Sequence, residues 1–355
     1  MLLFRRITTS GRFVPEIDGL RFVAIASVVF YHLYSALPEG GSHLPLHTVF
    51  LHGYRGVGLF YAISGFVLAL PFALHYLAGA PPVSLKAYYI RRLTRLEPPY
   101  IIDLLLCSAI LFVGYRISAR TILPHLGASI LYLHNLIYGA HSIINPVAWT
   151  LEVEVQFYCL MPLFALFFAI PARTTRRAAL LSVILVAALT QFVFLDAPPR
   201  LRVSILFAIQ FFLTGLLLAD IYVVDWKQRP AADWRWDLIS FVGWPVAFLL
   251  PARESWPCFP FLILLLYMGA LRGVIFSAIF RNSLISTIGG MCYTIYLLHY
   301  RLIPVVTKRF TSIPVKIAVY LVVLALASSA YFLLIERPCM RKDWPRRLYR
   351  AATGR

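Results

Sequence analysis

Runs of apolar residues long enough to cross a bilayer recur along almost the whole chain, near 20–37, 57–78, 98–115, 147–170, 178–196, 203–224, 237–251, 258–274, 284–304 and 314–335. A hydrocarbon layer about 30 Å thick demands roughly 20 such residues of a helix, and a helix satisfies its own backbone polar groups where water is absent. The pattern predicts an all-α polytopic membrane bundle of about ten transmembrane helices.

A further apolar piece, 121–140, is ambiguous by hydropathy, and loop charge decides it. If it does not cross, the segments Lys86 to Arg95, Arg173 to Arg177, Lys227 to Arg235, Arg272 with Arg281, and the tail from Arg337 all lie on the side of the N-terminus. The positive-inside rule prefers that arrangement, with both termini cytoplasmic. Segment 121–140 is then re-entrant or interfacial, which is tolerated where protein or a water-filled cavity covers it.

Composition supports the same class: 60% of the 355 residues are hydrophobic and 14% charged, against roughly 25% charged in a soluble domain. No stretch of soluble length flanks the spans. One membrane domain over 1–355 is expected, with 1–17 and 336–355 as basic cytoplasmic ends and no appended soluble catalytic domain. Met1 to Arg12 lacks the apolar core of a secretory signal and is expected to be retained. A net charge of +18 could suit nucleic acid, but in a polytopic chain Lys and Arg collect in cytoplasmic loops and meet anionic lipid. The five cysteines show no metal-ligand spacing and read as buried small hydrophobes. No metal and no bound cofactor are expected.

Four polar constellations interrupt the apolar pattern. Arg21 and His32 lie eleven residues apart in the first run, about three helical turns and about 16 Å along one face. A charge inside a span costs several kcal/mol unless a partner, a cavity or the interface receives it, so that face should line the bundle interior. Arg21 can instead be an interfacial anchor paired with Asp18. Gly56, Gly58 and Gly65 suit close helix packing, and Ser64 among them has no base spaced to activate it, so it reads as hydrogen-bonding glue. Arg92 and Arg95 share a helical face before Pro98 and Pro99, and paired guanidiniums suit bidentate phosphate binding. Trp149 opens a stretch with Glu152, Glu154 and Tyr158, in which the two carboxylates point about 200° apart on a helix. An intramembrane carboxylate marks a functional site by default. His299, with Tyr293 and Tyr296 on one side of the run 284–304, is a weaker candidate, and Glu336 with Arg337 and Pro338 reads as a helix stop with a local ion pair.

In this order, from Asp18 to Pro338, these segments resemble the acyltransferase family 3 of membrane proteins. The resemblance rests on Arg21 to His32 with ten intervening residues, on Phe60 to Phe66 as Phe-x-x-x-Ser-Gly-Phe, on Arg92 and Arg95 before Pro98-Pro99-Tyr100, and on Trp149 to Tyr158. It implies an enzyme that moves an acyl group, acetyl above all, from cytoplasmic acyl-CoA to a hydroxyl of a sugar or cell-surface polysaccharide in a bacterial inner membrane. It implies His32 as the essential histidine, Arg92 and Arg95 at the donor, and Glu154 as the family's glutamate. The mechanism expected from these residues has Arg21 beside the donor phosphates, His32 as general base or transient acyl carrier, and Glu154 orienting the imidazole or stabilising its charge. Asp18, Ser64, Trp149, Glu152, Tyr158 and His299 would support the site or the acceptor side. Gly58 stands where many members carry Asp, Thr150 stands for Ser, and Glu152 fills a position that is usually small. A proton-coupled transporter with His32 and Glu154 as its relay is the alternative, although the inverted repeat it predicts is not visible.

Overall fold

The computed structural model describes residues 4–7, 13–38, 42, 44, 46–194, 196–251, 256–341 and 344. Most of the basic stretch 1–12 and of the tail beyond 341 lies outside the described residues. Among the described residues the chain is helical, with no strand: α1 (Pro15–Ser35), α2 (His47–Leu51), α3 (Gly56–Ala78), α4 (Leu85–Ala109), α5 (Ala119–Ile130), α6 (His134–Tyr138), α7 (Trp149–Phe164), α8 (Arg173–Val193), α9 (Pro199–Arg202), α10 (Ile209–Val224), α11 (Arg235–Leu249), α12 (Phe259–Arg272), α13 (Ile275–Arg281), α14 (Ser283–Gly290), α15 (Cys292–Thr307) and α16 (Ile313–Tyr331). Six helical stretches are long and apolar enough to cross a membrane, or seven when the bent pair α12 and α13 counts as one span, and α10 is a shorter apolar helix. The chain is an all-α membrane protein.

Three boundaries differ from the apolar runs. Helix α4 begins at Leu85, so the basic stretch Lys86 to Arg95 is helix and not loop. Ser84 caps it by accepting the Ala87 N–H at 3.4 Å, and a capped start outweighs the low hydropathy of that stretch. The run 284–304 divides into α14 and α15 at Met291, where Gly289 lies so close to α1 that a Cβ would fall 1.7 Å from the Asp18 carbonyl oxygen. After α12 the chain turns 82° into α13. Asp237 holds that turn, its carboxylate accepting from the N–H groups of Val274, Ile275 and Phe276 at 2.9 to 3.0 Å. Segment 121–140 forms the short helices α5 and α6, neither of span length.

Helix α3 and helix α10 form the most extensive pair in the bundle. Gly65 allows it: a Cβ there would meet the Phe212 carbonyl oxygen at 2.1 Å, and one on Gly215 would meet the Ala62 carbonyl oxygen at 2.2 Å. Without a hydrophobic drive between helices in lipid, this close backbone approach is what dispersion forces reward. Helix α8 joins α10 through charge, with Asp220 fully buried between Arg176 and Arg177. The Arg173 to Arg177 cluster is thus tied into the bundle as well as basic.

Proline positions add further ties. Pro98 lacks the N–H that would reach the Thr94 carbonyl, and the indole Nε1–H of Trp344 donates to that oxygen at 3.0 Å. Pro162 similarly frees the Tyr158 carbonyl, to which the Tyr88 hydroxyl donates at 3.3 Å. Freed backbone groups in a membrane helix need such partners, and here they lock α4 to α7 and to the chain beyond α16. The cysteines divide by exposure: Cys107 is buried, Cys159 and Cys258 are exposed, and Cys292 and Cys339 lie between. The expectation of uniform burial is corrected, because an apolar run in a membrane faces lipid as readily as the core.

Replacing Gly65 with Val should lower the thermal unfolding midpoint of the detergent-purified protein, by an overpacking cost of about 1–3 kcal/mol. The control is Gly127→Ala, where a Cβ meets nothing within 4 Å; equal midpoints for the two variants would show that the α3–α10 approach is not tight.

Candidate active site

The N-terminal end of α1 carries the first polar cluster. Asp18 has a side chain only 1% exposed. It accepts from Arg21 Nη1 at 2.5 Å and from Arg6 Nε at 2.8 Å. Two guanidiniums on one carboxylate satisfy it fully and leave their remaining N–H groups available. Arg21 is therefore both paired with Asp18 and placed on a cavity wall.

That cavity, about 130 Å³ of water-accessible space, lies between α1, α3, α4, α7 and α15, and Arg6, Arg21, Arg92, Arg95, Glu154 and Glu336 are among its lining residues. Arg92 lies over two aromatic rings, 5.7 Å from the centroid of Tyr88 and 5.9 Å from that of Tyr158. Such stacking holds a guanidinium without consuming its donors, and Arg92 Nε has no hydrogen-bond partner. Glu154 Oε1 accepts from Ser64 Oγ at 2.6 Å and from the Tyr158 hydroxyl at 2.5 Å. Glu336 accepts from both the backbone N–H and the hydroxyl of Thr294. Four guanidiniums and the carboxylates Glu154 and Glu336 thus line one small volume, and Asp18, outside the lining, holds Arg6 and Arg21.

Glu152 points elsewhere. It is 2% exposed, and its Oε2 accepts the Asn135 N–H at 2.8 Å, capping α6. The Asn135 side chain donates in turn to the Trp149 carbonyl at 3.3 Å. The Trp149 ring lies 5.9 Å from that of His141. This loop imidazole is held below its ordinary pKa by burial. The angular separation of the two carboxylates on α7 sends one to the cavity and the other to the 131–145 connection.

His32 stands apart from both. Its Nδ1 lies 2.9 Å from His299 Nε2, while Glu154 is engaged by Ser64 and Tyr158. The imidazole partner of His32 is His299, whereas the hydrogen bonds of Glu154 go to Ser64 and Tyr158. His32 is half-buried and absent from the cavity lining, where Tyr296 lies instead. Tyr296 is the bridge: its ring is 5.5 Å from that of His299, its hydroxyl donates to the Val147 carbonyl at 2.7 Å, and it accepts from Thr150 Oγ1 at 2.7 Å. Phe60 meets the Tyr296 ring edge-on at 6.3 Å. Around His32 stand Tyr31 and Tyr300, with ring centroids at 5.1 and 5.2 Å.

Sequence reasoning did not single out Arg6, Glu336 or Asp103 as site residues. Arg6 precedes α1 and belongs to no periodic pattern. The sequence expectation for Glu336 is a helix stop paired with Arg337, whereas it lines the cavity and takes the hydroxyl of Thr294. Asp103, 2% exposed, accepts from Asn145 Nδ2 at 2.8 Å, and the same nitrogen donates to the Leu297 carbonyl at 3.2 Å. An acidic residue in the middle of the run 98–115 was the available signal for Asp103.

A family described as Acyltransferase domain matches this chain over residues 14–334. The O-acetyltransferase OatA of Staphylococcus aureus (strain NCTC 8325 / PS 47) is 24% identical over 378 residues, covering 94% of this chain and 58% of its own length. The OatA protein of strain COL gives the same identity and coverage, and further Staphylococcus aureus proteins named for O-acetyltransferase activity align with 24% identity. The chain thus spans somewhat more than half the length of the curated relatives it matches. No solved structure matches the chain.

Removing the Glu152 carboxylate with Glu152→Ala should speed amide exchange at Asn135 about tenfold or more, the cost of an unpaired buried donor being about 1–3 kcal/mol. Glu154→Ala should leave that exchange unchanged. Hydrogen exchange read by mass spectrometry distinguishes the two, and equal protection in both variants would remove Glu152 from its capping role.

Proposed function

The chain belongs to this acyltransferase family, and from that premise we propose that it moves an acyl group, acetyl by analogy with the named relatives, from cytoplasmic acyl-CoA to a hydroxyl of a sugar or cell-surface polysaccharide. The observation that carries the proposal is the cavity in which Arg6, Arg21, Arg92 and Arg95 converge beside the carboxylates Glu154 and Glu336. Coenzyme A brings phosphates, and forked guanidinium donors are the side chains best suited to them. The stacked Arg92 and its neighbour Arg95 on α4 take the phosphates, with Arg21 and Arg6 behind them.

The chemistry assigned to His32 is general base catalysis. The acceptor oxygen attacks the thioester carbonyl carbon as its proton passes to the imidazole. The C–O bond forms, the C–S bond breaks, and the departing thiolate takes the proton back. The acyl group reaches His32 past Tyr296, the residue shared between the cavity and the histidine pair. Glu154 holds the chamber wall through Ser64 and Tyr158, Asp18 holds the two arginines, and Trp149 with Glu152 shapes the acceptor side. The supporting topology is a bundle of about ten crossings, with both termini cytoplasmic and the chain in a bacterial inner membrane. The transporter reading gains nothing from the relatives, which are named as O-acetyltransferases.

Two outcomes test this reading with purified protein in detergent and labelled acetyl-CoA. His32→Ala should reduce release of CoA thiol by about 10²- to 10⁴-fold while the unfolding midpoint is kept; full turnover in that variant removes His32 from the reaction. Arg92→Gln with Arg95→Gln should raise KM for acetyl-CoA by about tenfold or more, since each charged hydrogen bond contributes about 1.5–3 kcal/mol. KM for S-acetylpantetheine, which lacks the phosphates, should stay within about twofold. An equal effect on both donors would move the phosphates away from these arginines.

A further inference from the structure

We propose that His299 is a positioning residue that fixes the tautomer of His32, so that Nε2 of His32 is the basic nitrogen and the only exit for its proton. The proposal rests on the acyl-transfer reading for its chemistry and on hydrogen-bond geometry for the assignment. His299 Nδ1 lies 2.7 Å from the Tyr296 carbonyl oxygen. A carbonyl only accepts, so Nδ1 carries the proton, and in a neutral imidazole Nε2 then carries the lone pair. That lone pair faces His32 Nδ1 at 2.9 Å, which must be the donor. With the proton on Nδ1, a neutral His32 carries its lone pair on Nε2; the Val28 carbonyl, a further neighbour of the ring, can only accept and releases no proton onward.

The arrangement is rigid. His299 is 0% exposed, its own carbonyl accepts from the Tyr320 hydroxyl at 3.0 Å, and one turn earlier Tyr296 is held by Val147 and Thr150. Two residues before His299, the Leu297 carbonyl is taken by Asn145. Carboxylates perform this task in Ser-His-Asp sites. A neutral histidine performs it here without adding a negative charge that would require a further buried cation.

The pair is also a dead end for protons. A proton taken at His32 Nε2 can be shared across the Nδ1···Nε2 bond, but His299 Nδ1–H faces a carbonyl that does not release a proton onward. It must therefore leave through Nε2, to the thiolate of the same reaction cycle. The acceptor hydroxyl and the thioester then need to be present together at His32 Nε2, the oxygen losing its proton there and the sulfur gaining it.

The test uses two isosteres. In His299→Gln the side-chain oxygen occupies the place of Nε2 and can still accept from His32. In His299→Asn the oxygen reaches only the place of Nδ1. With full-length purified protein and acetyl-CoA, water serving as acceptor, thiol release should keep kcat within about tenfold of the parent in the Gln variant. It should fall about 10²- to 10⁴-fold in the Asn variant, the range for losing a correctly posed base, with KM for acetyl-CoA unchanged in both. Gln and Asn variants that are equally active, or equally inactive, overturn the proposal, as does loss of kcat accompanied by a matching rise in KM. A parent protein that releases no thiol overturns the acyl-transfer reading instead. The hydrogen bond is then decided by carbethoxylation of His32 with diethyl pyrocarbonate, mapped by peptide mass spectrometry. That rate should match the parent in the Gln variant and drop several-fold in the Asn variant, and equal rates in the two variants overturn the assignment.

Discussion

A charge carried into hydrocarbon must be answered by another part of the same chain, and the polar architecture of this protein follows from that constraint. Asp18 is answered by Arg6 and Arg21, Asp220 by Arg176 and Arg177, and Asp103 by Asn145. Arg21 answers from within α1 itself, but Arg6, the Arg176 and Arg177 pair and Asn145 come from a different helix or segment than the carboxylate they meet, so each of these fixes the relative position of two parts of the chain. The apolar surface that drives a soluble fold cannot do this in lipid, where tails solvate Leu as well as another helix does. Charges and small residues therefore specify the bundle, and the cavity forms where guanidiniums outnumber the carboxylates that meet them.

The same constraint explains what was legible in sequence. Arg21 and His32 could be placed on one face because helical periodicity is local, and the opposite directions of Glu152 and Glu154 follow from two steps around a helix. The class of the fold was legible for the same reason, since the length of an apolar run needs no tertiary information. What periodicity could not supply was pairing over distance. His32 and His299 are 267 residues apart, and no local pattern says that the first helix lies against α15. Arg6 lies outside every repeat and Glu336 beside a basic neighbour that offered a simpler partner. Helix α4 was read too short because its basic N-terminal half resembles a loop in composition, although Ser84 marks a helix start.

The structure separates two environments that the sequence suggested were one. The chamber of arginines opens along α1 at Arg21, while the histidine pair lies at the far end of the same helix, with Tyr296 between them. Under the proposed acyl-CoA chemistry, a nucleotide at the arginines would sit apart from its thioester at the histidines, and the pantetheine arm would span the interval. Thr150 and Val147, which hold the Tyr296 hydroxyl, thus sit where the two environments are joined.

Trp344 closes a backbone group on the arginine helix that Pro98 leaves open, from a position 250 residues later in the chain. Trp344 is in that way a structural part of α4. For protein engineering this divides the carboxy-terminal region in two. Affinity tags or fluorescent reporters joined downstream of Trp344 keep the indole in place, whereas fusions that replace it expose a carbonyl one residue before Arg95. A truncation series ending on either side of that residue would report on the arginine helix from the far end of the polypeptide.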